Sequence, residues 1–444
     1  MSKLQAFSWS YKSVQQAKWL LNMYYLSKTK LIFINLFISE FIYYYLINLL
    51  VIKQIYYLFN QVANIHIIKQ MSEEKFAFIT EWYDNNASLV RVYHLYYYLH
   101  DGALEMYDAK TKKLFLKKCD YPSIQLKDLY IGAIVNIFSR QHKIVDYADN
   151  FTRNNFDQQR QKTLALIKPD AYTNIGKIIQ AIEDNNFTIN NLKMCKLNLR
   201  DAQEFYAEHR GKPFYDELTN YMCSDFIVAI ELVGNDCINQ WKKVMGPTNC
   251  QVARVDAPQS LRAIFGQDGV KNSLHGSDSA TSAKRELDFF FSKQSQLKKT
   301  AIFKNCTCCV IKPHIVKQKL SGKIIDIILS EGYEISAMQS FFLDRPTSEE
   351  FLDLYKGVLP DFIQIVDHLA SGLSIALEVR QENVVQNFRE LCGPFDPQIA
   401  KQSKPNSIRA QFGIDRVRNA VHCTDLQEDG LLEVEFFFCI LQNQ

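Results

Sequence analysis

An internal repeat constrains this chain of 444 residues more than any other feature. TLALIKPD at 163–170 returns as TCCVIKPH at 307–314, and LRAIFG at 261–266 returns as IRAQFG at 408–413. Three single residues recur at the 147-residue spacing of the second pair: Asn272, His275 and Glu286 return as Asn419, His422 and Glu433. Self-similarity at so long a period indicates two copies of a whole domain.

The repeat predicts the domain boundaries. The first copy spans 162–292 and the second spans 303–441, and a polar linker at 293–302 joins them. A third domain at 72–160 precedes the copies, and residues 1–70 form a hydrophobic leader. A chain of this length is expected to hold about three domains.

Strand and helix patterns alternate within the first copy. Its isoleucines at 175, 178, 179 and 182 follow the spacing of one helix face. The run DFIVAIEL at 225–232 has the composition of a buried central strand. These patterns predict a ferredoxin-like α/β sandwich for each copy and an α+β class for the chain.

The domain at 72–160 is rich in short runs of Tyr, Phe, Val and Ile. Asp101-Gly102 separates two such runs and predicts a hairpin. KLFLKK at 113–118 alternates apolar and polar residues, which predicts a half-buried strand. The pattern indicates a small β barrel or sandwich with a binding or docking role, and FTRNNFDQQRQ at 151–161 then reads as a polar linker.

The leader is unusual in composition. It contains no Gly, Pro or Arg, although its stretch at 31–52 is long enough to cross a bilayer. Membrane helices usually carry Gly and other small residues. Three interpretations stay open: a leader from an over-long gene model with Met71 as the true start, a hydrophobic docking helix, or a membrane anchor. We favour the first.

The formal net charge of +3 combines two opposite parts. Residues 1–70 carry seven Lys and one acidic residue, Glu40, whereas the remainder carries 44 basic and 47 acidic residues. A slightly acidic folded part argues against a bulk electrostatic grip on nucleic acid. The eleven Cys are spread along the chain, and Cys306, Cys308 and Cys309 sit in the apolar run CTCCVI with no matching Cys or His pair at zinc spacing. This predicts reduced, buried thiols.

His275 opens the sequence HGSD, and Glu286 lies in the helical stretch beyond it. A histidine at such a turn is open to four roles: nucleophile, general base, metal ligand or buried core residue. Several cationic side chains are expected near polar loops, which favours a phosphate ligand. They are Lys168, His209, Lys242 and Arg262. The chain has no GxxxxGK[ST] loop and no GxGxxG loop, so side chains would hold the phosphates.

The combination resembles the nucleoside diphosphate kinase family. The motifs that carry the resemblance are NxxHGSD at 272–278 with Glu286, KPD at 168–170, YxxHxxxPF at 206–214, GPTN at 246–249 and RAxFG at 262–266. NxxHGSD with a glutamate eleven residues after its histidine is highly specific. The β-rich domain resembles the DM10 domain of axonemal proteins. One such domain before two kinase domains is the layout of a flagellar member of the family.

The resemblance implies a ping-pong mechanism. His275 would attack the γ-phosphate of ATP or another nucleoside triphosphate and become phosphohistidine, while Glu286 would hold the far ring nitrogen. Tyr206 would support the Lys168 side of the pocket, and Phe214 would stack on the base. The implied nucleotide-binding residues are Lys168, His209, Phe214, Leu218, Lys242, Thr248, Arg262 and Asn272. Mg²⁺ would be held through the nucleotide phosphates, without a ligand from the protein.

Both copies depart from the family pattern. In the first, Lys242 stands where the family usually has Arg, which loses the bidentate fork. In the second, HGSD has become HCTD at 422–425, Phe395 replaces the phosphate-side Thr, and Val358 replaces the counterpart of His209. We expect this second site to be degenerate, although seven residues match: Lys312, Tyr355, Arg389, Arg409, Asn419, His422 and Glu433.

The resemblance also implies a place in the ciliary axoneme. It suggests a microtubule inner protein of doublet microtubules that contacts tubulin and neighbouring inner proteins, with a link to the γ-tubulin complex. The alternative is an active kinase that its β-rich domain brings to cilia or to the γ-tubulin complex. Neither interpretation calls for nucleic acid or a membrane.

Overall fold

A computed structural model describes residues 53–54, 74–84, 87–156, 161–292, 295 and 297–443. The chain divides into two units, Met1–Glu74 and Lys75–Gln444, and everything below concerns the second. The interpretations of 1–70 fall outside the described residues, apart from two positions. None of the helices in the described ranges is long and apolar enough to cross a membrane.

The first domain is an antiparallel sheet of six strands in the order β4-β3-β2-β1-β6-β5. Its strands are β1 (Lys75–Asp84), β2 (Leu89–Tyr98), β3 (Ala103–Asp108), β4 (Leu114–Asp120), β5 (Ile134–Ile137) and β6 (Arg140–Tyr147). The hairpin predicted at Asp101-Gly102 is confirmed, since it joins β2 to β3. Gly102 adopts a φ of 69°, which side chains with a Cβ rarely tolerate.

The structure corrects two predictions for this domain. β4 is not half-buried, because it forms an edge of the sheet and its Leu114 is 51% exposed. The segment 151–161 is not a linker throughout, because helix α1 (Asn150–Phe156) packs against the sheet. The Phe156 ring meets Phe76 edge-on at 4.8 Å. Phe151 stacks on the same Phe76 ring at 5.5 Å, so two aromatic side chains fix the helix to the sheet.

The two copies share one sheet of eight strands in the order β10-β7-β9-β8-β12-β13-β11-β14. Its strands are β7 (Gln161–Ile167), β8 (Thr188–Cys195), β9 (Ile227–Gly234), β10 (Leu274–Gly276), β11 (Cys306–Ile311), β12 (Glu334–Phe342), β13 (Leu373–Arg380) and β14 (Val421–Cys423). Each copy contributes four strands, and counted from the outer edge of the sheet inward their order is equivalent: β10-β7-β9-β8 in the first copy and β14-β11-β13-β12 in the second. β9, which the sequence predicts as central, is buried at seven of its eight residues.

Helices cover this sheet as the ferredoxin-like prediction requires. Those of the first copy are α2 (Ile175–Asp184), α3 (Leu199–Phe205), α4 (Tyr215–Met222), α5 (Cys237–Met245), α6 (Cys250–Asp256), α7 (Leu261–Phe265) and α8 (Ala280–Phe291). Those of the second are α9 (Pro313–Lys317), α10 (Ser321–Ser330), α11 (Arg345–Phe351), α12 (Phe362–Leu369), α13 (Val384–Cys392), α14 (Pro397–Ser403), α15 (Ile408–Phe412) and α16 (Asp429–Glu435). Short 3₁₀ turns lie at Leu126–Asp128, Pro169–Asn174, Ala207–His209, Asp353–Tyr355 and Leu441–Asn443, and a π turn lies at Phe436–Ile440.

The copies meet along helices α2 and α10. Glycines let the two backbones touch, since a Cβ on Gly176 would lie 2.3 Å from the backbone nitrogen of Asp326. Glu183 of α2 accepts the amides of Ser321 and Gly322, at 3.2 and 2.9 Å, where α10 begins. The carboxylate therefore satisfies helix amides that would otherwise lack partners.

The β-rich domain is fixed to both copies by polar contacts. The side-chain amide of Asn136 donates to Ala370 O in the second copy at 3.2 Å. The Tyr130 hydroxyl lies 3.1 Å from the Asn190 side-chain oxygen in the first copy. The three domains consequently belong to one compact unit.

Candidate functional site

His275 is the middle residue of β10, which lies at one edge of the sheet and pairs with β7. Its Nε2 is 3.0 Å from Oε2 of Glu286, and Ser277 Oγ donates to the same oxygen at 2.7 Å. Because Nε2 is engaged with the carboxylate, Nδ1 is the ring nitrogen left to react. The His275 side chain is 19% exposed, so it is not sealed in the hydrophobic interior.

Glu286 is carried by α8, whose first turn is fixed by a cap. The Ser279 hydroxyl accepts the amide of Ser282, as a good N-cap residue does. Burial acts to raise the pKa of Glu286, but the contacts with His275 and Ser277 outweigh it and hold that pKa below its ordinary value. The carboxylate therefore stays charged and can stabilise a positive imidazole.

Lys168 lies just beyond β7, next to the histidine strand. Its Nζ donates to Asn272 Oδ1 at 2.7 Å and to Val270 O at 3.1 Å. Burial, with the charge of Arg262 in second place, lowers the pKa of Lys168 to about 7. The ammonium is thus held at a fixed point, close to the balance between its charged and neutral forms.

Arg262 brings a second cation to the same end of β10. Its Nη2 donates to Leu274 O at 2.9 Å, and its Nη1 donates to Gly246 O at 3.0 Å. Thr248 Oγ1 lies 3.5 Å from that Nη1. Burial lowers the pKa of Arg262 from its ordinary value. The guanidinium nevertheless stays charged, because the ordinary pKa of arginine lies far above neutrality.

Two buried donors near His275 have no hydrogen-bond partner among the residues that the structure describes. They are Nε of Arg262 and the hydroxyl of Tyr206, whose ring centroid is 5.9 Å from that of His275. Burial raises the pKa of Tyr206, so its hydroxyl keeps its proton. Unpartnered buried donors are rare in native proteins, and an anion would satisfy these two.

The predicted base-binding residues gather at the start of α4. Phe214 is 40% exposed there, and Leu218 is buried one turn further on. The His209 ring is 5.7 Å from that of Phe214 and 6.0 Å from that of Tyr206. An exposed aromatic ring beside the cationic residues is suited to stacking on a base.

Lys242 is placed by an ion pair. Its Nζ lies 3.1 Å from Asp278 Oδ1 and donates to Asp278 O at 2.9 Å. The pair holds the amine beside the turn that follows His275. A ligand would have to compete with a single, largely exposed carboxylate for this cation.

Sequence reasoning assigned no role to Ser277 or Asp170, although both position the site. The Ser277 hydroxyl accepts the Leu164 amide at 3.2 Å while it donates to Glu286. Asp170 Oδ2 accepts the amide and hydroxyl of Ser273 at 3.0 and 3.1 Å, and its other oxygen accepts the Tyr221 hydroxyl. The signal was available, since Thr424 keeps a hydroxyl at the Ser277 position of the second copy.

The second copy repeats the histidine arrangement. His422 in β14 has its Nε2 2.8 Å from Glu433 Oε2, and Thr424 donates to the same oxygen at 2.8 Å. His422 is 8% exposed. Burial acts to lower the pKa of His422, but Glu433 outweighs it and raises that pKa above its ordinary value.

The surroundings of His422 differ from those of His275. Phe395 lies in the pocket, with the guanidinium of Arg409 5.7 Å and that of Arg416 5.8 Å from its ring. Val358, at the position of His209, is 71% exposed. The pocket therefore holds an apolar ring where the first copy has a hydroxyl.

A tyrosine bridge crosses this second pocket. The Tyr355 hydroxyl donates to Asp425 Oδ2 at 2.8 Å, and Arg389 Nη2 lies 3.2 Å from Asp425 Oδ1. The counterpart tyrosine, Tyr206, keeps its hydroxyl unpartnered. The donors that could meet a phosphate in the first copy are thus engaged with the protein in the second.

Comparison with known proteins decides the family. The family model described as nucleoside diphosphate kinase matches residues 161–296 and 305–441. The chain belongs to the nucleoside diphosphate kinase family. A second model, the nucleoside diphosphate kinase 7 N-terminal PH domain, matches residues 70–158, which cover the β-rich domain.

Two curated relatives of this nucleoside diphosphate kinase chain align with more than four fifths of its length. Nucleoside diphosphate kinase homolog 7 of Rattus norvegicus is 47% identical, over 85% of this chain and 96% of the relative. The protein of the same name from Mus musculus is 47% identical, over 83% and 94%. A solved structure of the Aquifex aeolicus nucleoside diphosphate kinase is 41% identical, with a TM-score of 0.30 over 31% of this chain and 98% of that chain.

Proposed function

We propose that the first copy transfers the γ-phosphate of a nucleoside triphosphate to a nucleoside diphosphate through phosphohistidine at His275. The observation that carries this proposal is the Glu286 contact to Nε2, because it leaves Nδ1 free beside buried cationic and hydroxyl donors. Nδ1 attacks the γ-phosphorus, and the bond to the β-phosphate oxygen breaks. The nucleoside diphosphate leaves with that oxygen, and a second diphosphate later takes the phosphoryl group back.

The surrounding residues supply charge at fixed positions. Lys168 and Arg262 are held by hydrogen bonds before the substrate arrives, so little reorganisation is needed as charge builds on the transferring group. Glu286 stabilises the positive ring during transfer. Phe214 offers its exposed face to any base, because stacking reads no base edge.

Magnesium fits this arrangement as a companion of the nucleotide. Among the described residues, no group of three or more His, Cys, Asp or Glu side chains is placed to hold a metal ion. The unpartnered donors of Arg262 and Tyr206 suit phosphate oxygens instead. When bound with the nucleotide, the ion would neutralise part of the phosphate charge.

A labelling experiment with a matched control tests the proposal. The full chain is incubated with γ-labelled ATP and Mg²⁺ beside the His275→Ala and His422→Ala variants. We expect acid-labile label on the wild type and on His422→Ala, and none on His275→Ala. Equal labelling of all three proteins, or loss of label only in His422→Ala, would contradict it.

We further propose that the chain is a structural component of the ciliary axoneme, a microtubule inner protein of doublet microtubules beside tubulin and other inner proteins. The domain layout shared with the homolog 7 relatives supports this. So does the attachment of the β-rich domain to both copies, since a lattice component needs fixed domains. The second pocket, filled by Phe395, is compatible with an architectural role.

Mapping the native doublet tests this second proposal. Density for all three domains inside the doublet wall is the expected outcome in a reconstruction of isolated axonemes. Recovery of the chain with the γ-tubulin complex, and its absence from doublets, would instead favour the alternative of a kinase delivered there by the β-rich domain.

A further inference from the structure

The side chains that pack behind the histidine strand differ between the copies in a coordinated way. In the first copy Gly276 is pressed against α5, and a Cβ there would lie 2.5 Å from Met245 Cε and 2.5 Å from Trp241 Cδ1. A residue larger than glycine would not fit. The space behind β10 is therefore occupied by the side chains of Trp241 and Met245 from α5.

In the second copy the helix carries smaller side chains and the strand carries a cysteine in place of the glycine. The residues 147 positions after Trp241, Met245 and Gly276 are Phe388, Cys392 and Cys423. The loss of volume on α13 makes room for the side chain of Cys423 on β14. Cys392 and Cys423 are both buried, and both are free thiols.

Cys423 stands among polar partners that a simple core cysteine would not need. Arg409 Nη2 lies 3.4 Å from its sulfur. Cys392 stands on α13 at the position whose counterpart, Met245, lies against Gly276 in the first copy. Cys423 is also one of the residues that line the second pocket, beside His422 and Phe395.

These neighbours separate the two thiols chemically. The Cys392 thiol, with the charge of Arg409 adding to its effect, lowers the pKa of Cys423 below its ordinary value in spite of burial. Burial and the same partner raise the pKa of Cys392 well above its ordinary value. The two pKa values are thus shifted in opposite directions, and Cys423 is the thiol that ionises more readily.

We propose that Cys423 and Cys392 form a peroxide-reactive dithiol that closes to a disulfide in the second copy. The Cys423 thiolate attacks one oxygen of hydrogen peroxide, the O–O bond breaks, hydroxide leaves, and the sulfur becomes a sulfenic acid. The Cys392 sulfur then attacks the sulfenic sulfur, and its thiol proton leaves with the sulfenic oxygen as water. The two thiols lose two electrons in all, which peroxide accepts.

The first copy supplies the matched control residues. Cys423→Gly and Cys392→Met restore what the first copy carries at these positions. The full-length proteins are treated with hydrogen peroxide, free thiols are blocked with an alkylating agent, and unreduced digests are analysed by mass spectrometry. We expect a peptide pair linked through 392 and 423 in the wild type and in neither variant. Thermal melting of both variants verifies that they fold.

A measurement without any variant tests the same inference. In the untreated wild type, Cys423 should react with iodoacetamide at pH 7 faster than Cys392 and faster than Cys308, which is also buried. The proposal is overturned if peroxide oxidises the half-buried Cys119, Cys223 and Cys439 while Cys423 stays alkylatable. A link from Cys423 to Cys309, its cross-strand neighbour, would overturn the assigned pair as well.

Discussion

Lys168 and Asn272 are joined by a hydrogen bond of 2.7 Å that the second copy lacks. There Lys312 donates to Val417 O at 3.2 Å, while Asn419 Oδ1 is buried without a partner. A buried acceptor without a donor costs about 1–3 kcal/mol. This lysine–asparagine pair is therefore fixed in the first site before a ligand binds, whereas its counterpart in the second site is not formed.

The titration of Lys168 should govern nucleotide affinity. Its pKa of about 7 means that the cation is lost as pH rises through neutrality, so ADP should bind more weakly at pH 8 than at pH 6. The loss is limited to roughly tenfold per pH unit above the pKa. Calorimetric titration of the wild type and of Lys168→Arg measures it. The arginine variant stays charged, so a fall of equal size in both proteins would refute the assignment.

Replacing Glu286 by Gln should slow phosphohistidine formation. The charged acceptor for Nε2 becomes neutral, and a hydrogen bond to a charged group contributes about 1.5–3 kcal/mol. We therefore expect a rate loss of roughly 10- to 100-fold in single-turnover labelling with ATP. Glu433→Gln, the matching change in the second copy, should leave that rate unchanged. An unaffected rate in Glu286→Gln would remove the carboxylate from the mechanism.

The sequence revealed most of this architecture because its signals are local or repeated. The isoleucines of α2 and the buried run of β9 follow strong periodicities, and the histidine motif occurs in both copies. The sequence predicted only part of the change in the second pocket. Phe395 in the sequence showed that a hydroxyl is missing from this pocket. The hydrogen bond from Tyr355 to Asp425 could not be predicted, because it joins residues 70 apart and depends on tertiary packing. Leu114 was misjudged because alternation does not tell an edge strand from an inner one.

The contact between α2 and α10 makes Gly176 sensitive to a single methyl group. Gly→Ala inside a helix normally adds about 1 kcal/mol of stability. Here the new Cβ would lie 2.3 Å from a backbone nitrogen, which cannot rotate away, so we expect a cost of about 1–3 kcal/mol. Urea unfolding of Gly176→Ala is compared with Gly269→Ala, where nothing lies within 4 Å. Stabilisation by the first change would show that the helices are not in contact.

Glu183 should make the same interface sensitive to pH. Burial raises the pKa of Glu183 to about 7, against the opposing effect of the Ser321 and Gly322 amides. Because the folded pKa lies above the unfolded value, the folded state binds more protons between the two values. The carboxyl's contribution to stability is therefore complete below about pH 4.5 and is lost as pH rises towards 7.

Chemical unfolding at pH values from 4.5 to 8 measures this effect as a difference between proteins. The free energy of unfolding of the wild type, minus that of Glu183→Gln, should fall across the lower part of this range and level off above pH 7. Glu331→Gln, a change at an exposed carboxylate just after α10, provides the control and should show no such slope. A difference that rises with pH would mean that the charged carboxylate, bound to the first amides of α10, is the more stable form, and burial would then not be the dominant influence on Glu183.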